Sequence, residues 1–151
     1  MNIWDKRVKE IPDLKDMVWR DFNDMKKFYF RVLCESPHFR PYSYDLREIK
    51  DEHRTSFVVR ENKDIIAHLT FYNDERNPNI FIIGFAVLKE HYSKGLGSKM
   101  MEFGEDYIKK MGGDTIVGNI YKDNWRSILL MTKRGYRIIS DVGMIRVEKK
   151  I

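Results

Sequence analysis

The residues best equipped for chemistry are Tyr92-Ser93-Lys94-Gly95-Leu96-Gly97-Ser98, set between two apolar patterns. Upstream, Ile80-Phe81-Ile82-Ile83-Gly84-Phe85-Ala86-Val87-Leu88 is a short bounded run rich in Ile, Phe and Val, which reads as a buried strand. Downstream, Leu96, Met100, Phe103, Tyr107 and Met111 recur at steps of three or four, one face of a helix that Gly112-Gly113 stops. The glycines therefore sit where a strand turns into a helix. Gly95 and Gly97 have no Cβ, so the backbone can take unusual dihedrals and let a ligand come close. The unpaired N–H groups of the first helical turn point at that ligand, and the natural guest is a phosphate. Two known phosphate loops are excluded. The dinucleotide pattern G-x-G-x-x-G fails because Met100 stands at its last position, and a Walker A loop fails because Lys94 precedes its glycine. A plain glycine-containing turn is the bland alternative.

A second block narrows the choice. Residues 124–136 read Asn124-Trp125-Arg126-Ser127-Ile128-Leu129-Leu130-Met131-Thr132-Lys133-Arg134-Gly135-Tyr136. Together, the turn and this block resemble the GNAT superfamily of N-acetyltransferases. Its first motif is Q/R-x-x-G-x-G/A between a strand and a long helix, and its second often reads N-x-R-[AS]-[IV]-x-[LF]-Y-x-K-x-G-[FY]. The resemblance is specific over about residues 80–136, weaker over 16–72 and absent before that. It implies acetyl-CoA as cofactor. It assigns the pyrophosphate to the backbone of Tyr92, Ser93, Lys94, Gly95, Leu96, Gly97 and Ser98, and the pantetheine arm to the strand backbone at Phe85, Ala86 and Val87. Asn124 would support the cofactor side of the site. The chain departs from the pattern twice: Tyr92 occupies the Q/R position, and Met131 occupies that of a tyrosine that is often catalytic. Methionine cannot donate a proton, so the expected role of Met131 is packing at the cofactor sulfur, and the proton would come from Tyr136, Tyr121, a water or the amine itself.

Acetyl transfer to an amine needs a base for the amine and a donor for the thioester oxygen. The run 79–87 carries no carboxylate. His68 interrupts an apolar strand expected beside the one that contacts the cofactor, and is the preferred base; a core or surface histidine is the bland alternative. His91 is expected at the surface, and His53 ends a helix. His38 lies among Phe39, Tyr42 and Tyr44, in the region that the resemblance assigns to the acceptor pocket.

The elements that must position these groups follow from pattern. Residues 1–15 read as an extension, Met17-Val18-Trp19 as a short strand, and Asp24 as the N-cap of a helix with Met25, Phe28, Tyr29, Phe30, Val32 and Leu33 facing in. Cys34 falls in the same apolar pattern and is expected buried. A loop at 36–41 precedes a second helix over 43–52. Strands are expected at 56–60 and 65–72 around a polar tip at 61–64, then a loop at 73–79 centred on Pro78. After the strand, turn and helix (99–111) come a strand around Thr115-Ile116-Val117, a helix capped by Asp123 or Asn124, and an antiparallel pair formed by Ile138-Ile139 and 142–147. Strands that cluster and then alternate with helices point to an α/β (α+β) fold, a mixed sheet with helices on both faces. The resemblance adds that the sheet is mostly antiparallel.

The chain has 151 residues, which suits a single domain over 1–151. Apolar residues make up 42% and charged residues 34%, as in a soluble globular protein, and no apolar run is long enough to span a membrane. The start of the chain lacks the apolar stretch of a signal peptide. A single cysteine excludes an internal disulfide and a cysteine-cluster metal site, so a cytoplasmic setting is expected. The net charge of +5 suits an anionic cofactor; nucleic acid is disfavoured because the basic residues are interleaved with 23 acidic ones. The expected function is acetyl transfer from acetyl-CoA to a primary amine of an unidentified acceptor. The alternative is a module that binds coenzyme A or acyl-CoA with little transfer. A homodimer is left open.

Overall fold

The computed structural model describes residues 22–35 and 54–151. The expectations for residues 1–15, 17–19, 36–52, His38 and His53 lie outside the described residues. Helix α1 spans Phe22–Glu35. Strand β1 is Arg54–Glu61, β2 Asp64–Asp74 and β3 Asn77–Val87, followed by a short 3-10 turn at Lys89–His91. Helix α2 is Leu96–Lys110, β4 Thr115–Ile120, α3 Trp125–Lys133, β5 Arg137–Ser140 and β6 Ile145–Lys150.

The strands form one mixed sheet in the order β1-β2-β3-β4-β6-β5. Only β3 and β4 run parallel, joined by the crossover helix α2; every other neighbouring pair is antiparallel. The β1–β2 hairpin turns at Asn62, which takes the left-handed conformation (φ 58°) that asparagine tolerates. Side chains alternate across the sheet, so the two faces can be read from sequence parity. Phe57, Phe71, Phe103 and Tyr107 stack at centroid distances of 4.9–6.1 Å, which puts α2 over one face. Met131 of α3 meets Gly118 on that same face. On the other face, Tyr29 of α1 packs edge-on against His68 at 5.6 Å. The core spans both faces, with Met25, Phe28 and Val32 on α1, Leu69 and Phe71 on β2, and Met100, Met101 and Ile108 on α2.

Several boundaries differ from the sequence expectations. Asp24 lies in the first turn of α1, not at its N-cap, because the helix already begins at Phe22. Phe30 and Cys34 are exposed. Each lies two residues beyond a core position, Phe28 or Val32, and two residues carry a side chain to the far side of a helix. Strand β3 starts at Asn77, so Pro78 belongs to a strand and not to a loop. A register shift at Asn73/Asp74 opens the ladder there, and pairing with β4 begins only at Ile80, so no ladder bond is asked of the proline. Helix α2 starts three residues earlier than 99, and Met111 is its half-exposed C-cap, not a core residue. Strand β6 begins at Ile145 and not at 142, since left-handed Gly143 (φ 79°) breaks the extended run and leaves Val142 exposed.

Candidate active site

The parallel ladder between β3 and β4 is short. It pairs Ile80 with Thr115, Phe81 with Ile116 and Ile82 with Val117, and then stops. Beyond that point β3 continues to Val87 against β2, while β4 continues to Ile120 against β6. The two strands part, and the β4-facing backbone edge of residues 83–87 lies beyond any β4 partner. A cleft of about 540 Å³ opens at this gap. Phe85 lines it from the α2 face and Ala86 from the α1 face; Val32 and Glu35 of α1 and Leu130 of α3 also line it. The cleft thus reaches through the sheet.

The glycine turn forms its floor. Gly95 takes the left-handed conformation (φ 80°) and is the N-cap of α2, with no side-chain cap and no acidic residue in the first turn. Among the described residues nothing lies within 4 Å of where a Cβ would stand on Gly95. At Gly97 a Cβ would approach Leu130 Cδ2 to 3.0 Å, so the turn and α3 meet closely there. Ser93 is also left-handed (φ 61°), a conformation that costs a non-glycine residue about 1–3 kcal/mol. Since a helix leaves its first N–H groups without intrahelical partners, the floor is a set of donors with no acid in the first turn of α2 itself, and it fits an anion, while the carboxylates that line the cleft, Glu35 and Asp123, come from other segments.

Cationic and aromatic groups line the rim. Arg126 donates from Nη1 to Ser93 Oγ at 3.4 Å and lies over the rings of Tyr92 and Trp125 at 5.0 and 4.9 Å. Asn124 caps α3, its side chain accepting from the Ser127 N–H at 3.4 Å, which decides between Asp123 and Asn124. On the opposite wall Glu35 accepts from the Lys89 N–H at 2.9 Å and tethers the end of β3 to α1. Arg31 adds a 2.9 Å ion pair to Glu90; this hydrogen bond holds the Glu90 carboxyl below its ordinary range and raises the Arg31 guanidinium.

Of the residues singled out from sequence, Phe85, Ala86, Val87, Tyr92, Ser93, Gly95, Leu96, Gly97, Ser98 and Asn124 line the cleft. Lys94, Met131, His68, Tyr121 and Tyr136 are not among the lining residues. Met131 is 2% exposed, with its Cε 3.0 Å from the position of a Cβ on Gly118, so it packs against the sheet. Tyr136 is buried, and its hydroxyl has no hydrogen-bond partner among the described residues. Burial, together with the negative charge of Glu105, pushes that phenol well above its ordinary range against the opposing effect of Arg134. His68 is buried opposite Ala86 and shares a hydrogen bond between its Nδ1 and the Tyr29 hydroxyl, one strand behind the cleft wall. Contrary to expectation, His91 is not a surface residue. Its side chain is 12% exposed, lines the cleft and stands 3.6 Å from Glu90. Sequence reasoning also passed over Arg126, although it lies two residues after Asn124 within the same block.

The model of the acetyltransferase (GNAT) family matches residues 12–136, most of the chain. This protein belongs to the GNAT acetyltransferase family. The fold agrees with solved structures. The GNAT domain of PAT from S. lividans is 18% identical with a TM-score of 0.76, over 87% of this chain and 86% of that one. An N-acetyltransferase from Staphylococcus aureus Mu50 is 19% identical with a TM-score of 0.71, over 87% and 93%. The yncA protein from Salmonella typhimurium, solved with its cofactor acetyl-CoA, is 18% identical with a TM-score of 0.72, over 87% and 88%. No curated protein matches the chain. Among the described residues no helix is long and apolar enough to cross a membrane.

Proposed function

We propose that this acetyltransferase moves an acetyl group from acetyl-CoA directly to a primary amine. The observation that carries the reading is the parting of β3 from β4 over a donor-lined glycine turn. An extended pantetheine arm can add to the free edge of residues 83–87 as an extra strand would, while the pyrophosphate meets the first turn of α2. When bound, acetyl-CoA supplies a thioester carbonyl open to attack by a neutral amine. The backbone near Phe85 to Val87 is placed to donate to that carbonyl oxygen as it gains charge. Cys34 does not line the cleft, which favours direct transfer over a cysteine-bound acyl group. Holding the amine and the thioester together accounts for much of the expected rate.

Proton movement is assigned to histidine. His91 is the described histidine that lines the cleft, with its ring 3.6 Å from Glu90, and is our candidate for the base. His68, preferred from sequence, would act from behind Ala86 in its hydrogen bond with Tyr29. Turnover in His91→Gln and His68→Gln variants separates the two: loss in the first with retention in the second supports His91. The exposed thiol of Cys34 suits a reducing, cytoplasmic setting.

The test of the function is release of free thiol from acetyl-CoA across a panel of amines that includes polyamines, amino acids, peptide N-termini and lysine side chains. Turnover with any of them supports transfer. Tight coenzyme A binding with no turnover supports the second reading, a coenzyme A-binding module, which is favoured by the non-donating Met131 at the position of the family's tyrosine.

A further inference from the structure

Glu105 lies on α2 two turns after Ser98 and is buried, yet it is not part of the cleft. Its Oε1 accepts from Arg134 Nε at 2.8 Å and lies 2.7 Å from Arg134 Nη2, a two-pronged grip; its Oε2 accepts from Lys149 Nζ at 2.8 Å. One carboxylate between two cations leaves this cluster with a net positive charge. The grip fixes the plane of the guanidinium. The remaining arm, Nη1, donates to Ser98 Oγ at 3.4 Å, and Ser98 lines the cleft at the third position of α2. A hydroxyl oxygen that accepts from a guanidinium must turn its own hydrogen elsewhere. The anion-ready floor of the cleft is where a donor is wanted.

We propose that Glu105 and Arg134 form a relay that sets the Ser98 hydroxyl as a donor to a phosphate group in the cleft, making Arg134 a positioning residue for cofactor binding. The proposal rests on the acetyl-CoA reading for the identity of the cofactor, but the anion site can be tested without it. A purely structural cluster would clamp α2, α3 and β6 together and leave ligand affinity alone.

The experiment is calorimetric titration of the full chain with coenzyme A and, separately, with inorganic pyrophosphate. Ser98→Ala should weaken both ligands about tenfold, the worth of one hydrogen bond to a charged group. Ser98→Thr, which keeps the hydroxyl, should restore binding. Arg134→Gln should weaken binding to a similar degree, and the double variant should be no weaker than either single one, because both remove the same relay. If Arg134→Gln fails to fold, Arg134→Lys takes its place: it keeps a cation on Glu105 but cannot span to Ser98. Affinity within about twofold of the natural protein in Ser98→Ala overturns the proposal, as does a double variant whose loss is the product of the two single losses. Ser98-dependent binding of pyrophosphate without coenzyme A binding upholds the relay and removes the cofactor reading. Binding of neither ligand overturns both.

Discussion

Gly97 offers a clean separation of folding from binding. A Cβ at this position would stand 3.0 Å from Leu130 Cδ2 and 3.7 Å from Phe85 Cε2. The Leu130 methyl, at the end of a flexible side chain, must retreat by a few tenths of an ångström. Against that, replacing glycine in a helix gains roughly 0.5–1 kcal/mol of backbone entropy. Gly97→Ala should therefore keep its stability to within about 1 kcal/mol and should still bind coenzyme A. Gly97→Glu differs only in ligand binding. A carboxylate in the first turn of α2 complements the helix dipole by about 0.3–1 kcal/mol, so the variant folds. The same carboxylate brings negative charge and bulk among the donors meant for pyrophosphate. Coenzyme A at a hundredfold excess over its dissociation constant should stabilise the natural protein by about 2.7 kcal/mol. For a chain of this size that raises Tm by about 5–11 °C. Thermal unfolding with and without ligand measures it. An equal rise in the Gly97→Glu protein would refute the assignment of this turn.

Three further outcomes are expected. Asn124→Ala should lose about 0.5–1 kcal/mol in urea unfolding through the lost cap, the low end because the bond is 3.4 Å long, and should raise KM for acetyl-CoA because Asn124 also lines the cleft. Met131→Ala should cost about 2–5 kcal/mol of stability with KM little changed, and Met131→Tyr should be destabilised by overpacking against Gly118, since the residue packs against the sheet and does not line the cleft. Tyr136→Phe should be at least as stable as the natural protein, because it removes a buried hydroxyl without a partner among the described residues, and should retain full turnover. Its pH dependence has a fixed sign. The folded phenol stays protonated above the ordinary value of 10.0, so the folded state binds more protons there than the unfolded one. Its contribution to stability is complete below about pH 10 and falls above it by up to about 1.4 kcal/mol per pH unit, a slope that alkaline unfolding should find missing from Tyr136→Phe.

The parts legible in the sequence were those written as local pattern. The strand at 80–88, the turn and the helix after it follow from apolar spacing and two glycines, and ten of the twelve residues assigned to the cofactor line one cleft. The boundaries that slipped were decided by partners far along the chain. Pro78 reads as a loop residue in isolation, yet it sits in a strand because the ladder asks nothing of it there. Cys34 and Phe30 lie in an apolar stretch whose neighbours Phe28 and Val32 do face the core, so the phase of the helix and not composition decided their exposure. Met131 is expected at the chemistry from its position in a motif and Tyr136 as a nearby substitute acid, while packing against Gly118 and burial near Glu105 keep both out of the cleft lining.

The histidines expose a deeper limit. His68 interrupts an apolar strand and so stands out in the sequence, whereas His91 sits in a polar stretch and looks like surface. What makes His91 part of the cleft is a ladder that stops: β3 and β4 pair for three residues and then separate, and the short turn after β3 folds back against the opening. A missing hydrogen-bonded partner has no residue signature, because any side chains can flank an unpaired backbone edge. The function proposed here depends on that edge. The glycine turn without the gap would bind an anion and hold no thioester, and the gap without the turn would leave an unsatisfied strand edge with nothing to anchor a ligand along it. The sequence carries the turn in its glycines, and the gap emerges only when α2 carries the chain across to β4, which leaves β3 after Val117 and follows β6 on its other edge out to Ile120.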